Sequence, residues 1–353
     1  MPEINLLVKG KVLAYYSENK YVYYKKGMLY LYDGKHNKIT NLENNLFKRI
    51  LSKFSIFRRL FRLEPRSAIK LNENEILFTC QGFIFNLNFN NKILKKEHKF
   101  RPGMTSPLYL TKYQDNDGNL KVIYGEYFSN KAGDKVSIYK RNGNLWHKIY
   151  TFKKGTIKHI HNIIYDEDNN YFYIFTGDDD IESGIWKADC DFTSVNLIRG
   201  GKQIYRSCFG AIINKHLIYA TDTPLEQNYL ISLNLETYEI EKISKIKGPV
   251  IYGARSSDKI IFSTTVEPDS NIKGIRYLIT KKRGKGVLDD CSYLYTYSIK
   301  EKLSIVLSIK KDFLPVGLFQ FGTFQPITYS SEIIAYNMGL KKYKNTTIKF
   351  GGK

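Results

Sequence analysis

One unit recurs along this 353-residue chain: an aromatic-bearing strand, a short polar turn, then a second strand of alternating character. Six copies can be read, at 29–42 (LYLYDGKHNKITNL), 83–95 (FIFNLNFNNKILK), 136–152, 184–198, 229–243 and 293–309. From Phe85 through Tyr139, Trp186 and Ile231 to Tyr295 the steps are 54, 47, 45 and 64 residues. Each step is long enough for one four-stranded antiparallel sheet. Most hairpins also follow an apolar pair of strands, as in HIHNIIYDEDNNYFYIFTGD. A sheet of this size cannot bury both faces alone, so the units must stack on one another.

Radial stacking of four-stranded sheets is the β-propeller solution. Six hairpins predict an all-β, six-bladed propeller occupying 1–353 as a single domain. Length alone would have suggested two or three domains. The tail QFGTFQPITYSSEIIAYN lacks an outer hairpin, and we expect it to share a blade with the N-terminal strands, which removes the free edges.

One segment breaks the β pattern. At 45–61 (NLFKRILSKFSIFRRLF) Leu46, Phe47, Ile50, Leu51, Phe54, Phe57, Leu60 and Phe61 recur mostly at helical spacing, with Lys48, Arg49, Lys53, Arg58 and Arg59 largely opposite. This predicts a basic amphipathic helix inserted between the first two blades. The expected packing lays the apolar stripe across the propeller; the functional alternative is adsorption to anionic lipid.

Composition narrows the partners. Lys and Arg number 55 against 34 Asp and Glu, a net charge of +21, yet 42% of residues are hydrophobic and 14% aromatic, so this is no disordered basic tail. The basic residues are scattered without a recognised motif, so nucleic acid is an unlikely partner. Four cysteines with no CxxC pair argue against a disulfide scaffold and fit a reducing compartment. The N-terminus carries Glu3, Lys9 and Lys11 and does not read as a signal peptide. The expected location is cytoplasmic; the lipid-adsorption alternative would add peripheral contact at the inner membrane face through the basic helix.

Two residue sets point to chemistry. Arg62, Arg66, Arg101 and Arg206 stand just ahead of predicted inner strands, where converging guanidinium groups would clamp a carboxylate or phosphate. In 159–182, His159 and His161 are two apart and share a strand face; Asp178, Asp180 and Glu182 alternate likewise after the apolar strand YFYIFTG. With Asp222, such a set suits a divalent metal or acid–base work on a sugar. No P-loop, Rossmann, HExxH or GxSxG motif is present.

The segment FRLEPRSAIKLNENEILFTCQG resembles the first-blade segment of sialidase-like propellers, apart from the extra Glu64 before Pro65. The outer hairpins resemble degenerate Asp-box (BNR) repeats. The best copy keeps Gly143 and Trp146 but has Arg141 where the Asp should stand; 185–198 is a weaker copy. The resemblance implies an arginine clamp from Arg62 or Arg66 with Arg101 and Arg206. It also implies a Tyr252 nucleophile activated by Glu126. Propeller-fold polysaccharide lyases instead use His and Tyr, some with a metal. The expected function is therefore binding or cleavage of an acidic sugar or oligosaccharide, as glycoside hydrolase or lyase. The alternative is a non-catalytic interaction propeller associated with cell-surface polysaccharide assembly.

Overall fold

The computed structural model describes residues 3–256, 259–329 and 332–350. Seven four-stranded antiparallel sheets follow one another along the chain. Six are uninterrupted meanders over 11–41, 68–99, 111–152, 160–200, 207–246 and 250–310. Each contains one of the six hairpins read from the sequence as its outer pair of strands.

The seventh sheet corrects the expected count of six. The strands Thr323–Tyr329, Glu332–Met338 and Thr347–Phe350 pair in order, and the N-terminal strand Ile4–Val8 completes the sheet on Thr347–Phe350. The tail therefore meets only the first strand of the chain, while 11–41 forms a whole sheet of its own. The missing blade was hidden because its outer strands come from opposite ends of the chain and are only five and four residues long. Joining first and last strands pairs an edge that would otherwise stand open.

The chain divides into two compact units, one of 1–64, 209–233 and 240–353, the other of 65–208 and 234–239. In the first unit the tyrosines stack across strands: Tyr21 lies opposite Tyr32 with ring centroids 4.7 Å apart, and Tyr23 opposite Tyr30 at 5.0 Å. Such cross-strand aromatic pairs stabilise a sheet by roughly 0.2–1 kcal/mol each, which is one use of the chain's many tyrosines. In the second unit Ile123, Ile138, Phe152, Ile163, Phe172 and Ile174 form a buried core.

The best Asp-box candidate is built differently from an Asp-box. Arg141 donates from Nε and Nη2 to the two oxygens of Glu97, and the indole of Trp146 donates to the same carboxylate at 2.9 Å. Glu97 thus links the outer strands of two successive sheets. In the weaker copy an aspartate does brace the turn: Asp189 accepts from the backbone N–H groups of Thr193 and Ser194.

The segment 45–61 is two short helices, α1 (Leu46–Leu51) and α2 (Ser55–Leu60), and they are turned the other way from the expected packing. Arg58 and Arg59 are buried, at 5% and 6% exposure, whereas Leu46 and Phe47 are 67% and 68% exposed. Arg58 donates to Glu64 at 2.7 Å and to the Ser52 carbonyl at 2.8 Å, tying α2 to the end of α1. Arg59 pairs with Asp312 and donates to the Phe319 carbonyl at 2.7 Å. These long-range acceptors outweigh the apolar stripe in setting the inward face, because a buried guanidinium must be paired. Among the described residues no helix is long and apolar enough to cross a membrane.

Candidate functional site

The second unit gathers His159, His161, Asp178 and Arg206. His161 occupies a bulge in the pairing of Ile160–Asp166 with Tyr171–Thr176, where the register shifts between Ile160 and Asn162. Bulges re-aim side chains next to sites, and here the bulge faces the two imidazoles, with Nε2 atoms 3.0 Å apart. Two glycines make the placement possible. Gly125 lies so close to Ile160 that a Cβ would sit 2.4 Å from its Cγ2. Gly177, just before Asp178, has φ +150, and a Cβ there would fall 2.8 Å from Ser183 Oγ.

Both histidines are held in one tautomer. His159 Nδ1 lies 3.1 Å from the Phe128 carbonyl and His161 Nδ1 lies 3.0 Å from the Ser207 carbonyl. A carbonyl can only accept, so each Nδ1 carries a proton and each neutral ring presents a bare Nε2. The two lone pairs face each other and Asp178 Oδ1, which is 3.3 Å from His159 Nε2 and 3.4 Å from His161 Nε2. Such an arrangement needs a positive partner between the lone pairs, a proton or a metal ion.

The residues present fit a metal. One atom from each of His159, His161 and Asp178 lies within 4.8 Å of the others. Metal–ligand bonds of about 2.0–2.2 Å put neighbouring ligand atoms about 3.0–3.5 Å apart in tetrahedral or octahedral sites. Ligand histidines that donate their other N–H to a carbonyl are the usual second layer of such sites.

Cations surround this cluster. Arg206 donates to the Asp178 carbonyl at 3.0 Å and its Nη2 lies 3.3 Å from Oδ1; Lys158 Nζ is 3.1 Å from Oδ2. Burial would push the Asp178 carboxyl up, but the Arg206 guanidinium holds it well below the usual carboxylate range. Asp178 is therefore an acceptor and not a proton donor. Tyr127 closes one side, its ring 4.4 Å from that of His159, and the Arg66 guanidinium stands 5.2 Å over the Tyr127 ring.

Arg101, Glu126 and Asp180 are engaged by partners of their own. Arg101 stacks over Phe128 at 4.1 Å, pairs with Glu126 at 3.3 Å and donates to the Lys135 carbonyl. Glu126 also accepts from the Ser137 backbone N–H at 2.8 Å, and burial pushes its carboxyl up despite these donors. Asp180 is exposed in a short turn and accepts from Gln203. Arg62, Tyr252 and Asp222 belong to the first unit. Arg62 is exposed after α2, Tyr252 is half-buried on the strand Val250–Ser256, and Asp222 is buried after the strand His216–Thr221. Sequence reasoning did not single out Tyr127, Lys158 or Gln203. Tyr127 and Lys158 adjoin residues it did name, and this adjacency was the only available signal.

No protein-family model matches the chain, and no curated protein is similar to it in sequence. Its structure is similar to solved ones. An oligogalacturonate lyase from Vibrio parahaemolyticus aligns with a TM-score of 0.59 at 11% identity, covering 100% of this chain and 94% of that one. The WD40 β-propeller domain of Doa1 aligns at 0.55 and 11% identity, covering 100% and 98%. A chain of a mitotic checkpoint complex aligns at 0.51 and 9% identity, covering 99% and 93%. At these identities the likeness shows the fold, a β-propeller, and not the chemistry. The sialidase-like assignment and its Asp-boxes find no support from any sequence family.

Proposed function

We propose that the second unit binds an acidic sugar or oligosaccharide at His159, His161, Asp178 and Arg206, and cleaves it by β-elimination. The observation that carries this reading is the pair of bare Nε2 atoms, 3.0 Å apart beside an ionised carboxylate. A divalent cation held there by the two imidazoles and Asp178 would neutralise a substrate carboxylate and acidify the adjacent C–H.

The chain's own residues supply the rest. Arg206 and Lys158 bring two positive charges to the single carboxylate of Asp178, which leaves the site attractive to a further anion. Elimination moves the proton beside the carboxylate to a base, breaks the C–O bond to the leaving sugar with its electron pair, and forms a C=C bond. We assign the exchange of that proton to Tyr127, which packs against His159. Hydrolysis through paired carboxyl groups needs a protonated acid beside the bond. Asp178 is held ionised, and Glu126 is engaged by Arg101 and Ser137. The fold's occurrence in an oligogalacturonate lyase agrees with this reading without carrying it.

The test is incubation of the protein and Mn²⁺ or Ca²⁺ with a panel of uronic-acid oligosaccharides, followed by the absorbance of unsaturated ends. Unsaturated product that disappears in His161→Ala supports the reading. New reducing ends without unsaturation mean hydrolysis. Binding without turnover identifies the non-catalytic interaction role, and no binding of any acidic glycan sinks both.

A further inference from the structure

The first unit carries an unusual surface around α1 and α2. Leu46, Phe47, Ile50, Phe54, Ile56 and Phe61 are all exposed within sixteen consecutive positions. Protein surfaces rarely leave so many large apolar side chains together, since contact with water is unfavourable for each. They are not stranded by disorder of the helices: α2 is fixed from beneath by the buried arginines, Arg58 on Glu64 and Arg59 on Asp312. The patch continues onto two further short helices, α3 (Gly274–Ile279) and α4 (Val316–Phe319); α4 packs against both α2 and α3. There Ile275 and Phe313 are 76% and 73% exposed. Lys48, Arg49 and Lys53 stand exposed among these apolar side chains.

Next to this surface is a cavity of about 420 Å³ with one-sided charge. Lys9, Lys11, Lys25, Lys26, Arg58 and Lys344 line it, and the one acid in its wall is Glu64. Glu64 is already engaged, by Arg58 at 2.7 Å and by the Tyr336 hydroxyl at 3.1 Å. Two of the cations are deeply buried, Lys11 at 6% and Arg58 at 5% exposure, and the Lys11 ammonium lies 5.6 Å over the Tyr336 ring. Lys9, Lys25, Lys26 and Lys344 concentrate positive charge around the cavity and attract an anion.

We propose that this face docks on an anionic phospholipid bilayer: the apolar side chains of α1 and α2 enter the interface while the lysine cavity receives a headgroup phosphate. The combination decides the occupant. A nucleic acid would match the charge but not the exposed aliphatic side chains, and an ordinary protein partner would match the apolar patch but not five lysines around a cavity. Helices of six residues can lie in an interface but cannot cross it. The inference is independent of the carbohydrate site.

Co-sedimentation with vesicles tests it, using phosphatidylcholine alone and phosphatidylcholine mixed with phosphatidylglycerol. The full chain should pellet with the mixed vesicles and not the neutral ones, less so as salt rises. Phe47→Ser with Phe54→Ser should abolish pelleting. Lys25→Ala with Lys26→Ala should weaken it about thirtyfold, as expected for two cations near a charged surface. All variants should keep the wild-type melting temperature, since these side chains are solvent-facing or at the cavity rim. The proposal is overturned if the wild type ignores mixed vesicles, or if the phenylalanine variant pellets unchanged. It is equally overturned if inorganic phosphate fills the cavity while no vesicle binds, or if the apolar variant instead dissolves a dimer.

Discussion

The two charged regions of this protein are built on opposite principles. Around Asp178 the polar groups are tied to one another: two imidazoles, Arg206 and Lys158 converge on one carboxylate, and each histidine is locked by a carbonyl. Around the cavity beside α2, Arg58 takes the one carboxylate, Glu64, and the exposed lysines Lys9, Lys26 and Lys344 stand at the rim. A balanced network fixes geometry and holds protons in place, which is what metal binding and proton transfer require. An unbalanced one fixes little but attracts anions from a distance.

The largest test of this contrast concerns α2. Its outward apolar face exists only because Arg59 is paired inside. Arg59→Ala leaves Asp312 with Lys311 as its remaining cation and removes the donor to the Phe319 carbonyl, and should cost about 1.5–3 kcal/mol, read as a lower urea midpoint. A loss within the roughly 0.5 kcal/mol typical of surface substitutions would mean that the helix is held by something else.

On the balanced side, His161→Ala removes one of three ligands. It should weaken divalent-cation binding by well over the roughly 10–100-fold that second-layer changes cost, measured by titration calorimetry with Mn²⁺ or Zn²⁺. Phe47→Ser, placed on the other region, should leave that affinity unchanged. An effect of the phenylalanine variant on the metal would show that the regions are coupled.

Gly177→Ala sharpens the same side. Its φ of +150 and the nearby Ser183 Oγ leave no room for a Cβ. The substitution should destabilise by about 1–3 kcal/mol and weaken metal binding by displacing Asp178. Unaltered metal affinity would show that the strand end does not set the carboxylate position.

The smallest expected effect is a pH dependence at Glu97. Burial raises its carboxyl, but hydrogen bonds from Arg141, Asn86 and Trp146 bring it below the ordinary value. A carboxylate with a lowered folded value stabilises fully above the unfolded value of about 4.3 and loses that contribution as pH falls through the folded value. The Glu97 contribution should be flat from neutral pH to about pH 5 and fall in acid, and Glu97→Gln should flatten part of the acid fall in stability. An unchanged acid limb would place the slope on other carboxylates.

How far the sequence could be read follows from the range of the interactions. The repeated hairpins were legible because a strand and its turn are local. The seventh sheet was not, since Ile4–Val8 finds Thr347–Phe350 only at the other end of the chain. The pairing of His159 with His161 was legible from their spacing, and Asp178 from its place at the end of the neighbouring strand. The bulge that aims His161 leaves no signature in residue type, and neither does the Ser207 carbonyl that fixes its tautomer. The helical segment shows the limit most clearly. Its amphipathic pattern was plain, but which face turns inward depended on Asp312 and Phe319, some 250 residues away.

The central claim is that the His159–His161–Asp178 cluster holds a cation and through it an acidic sugar. Titration of a uronic-acid oligosaccharide into the Mn²⁺-loaded protein, with and without chelator, tests this most directly. The account predicts saturable binding that is lost on chelation and in Arg206→Ala. Equal binding with the chelator present, or undiminished binding by Arg206→Ala, would contradict it.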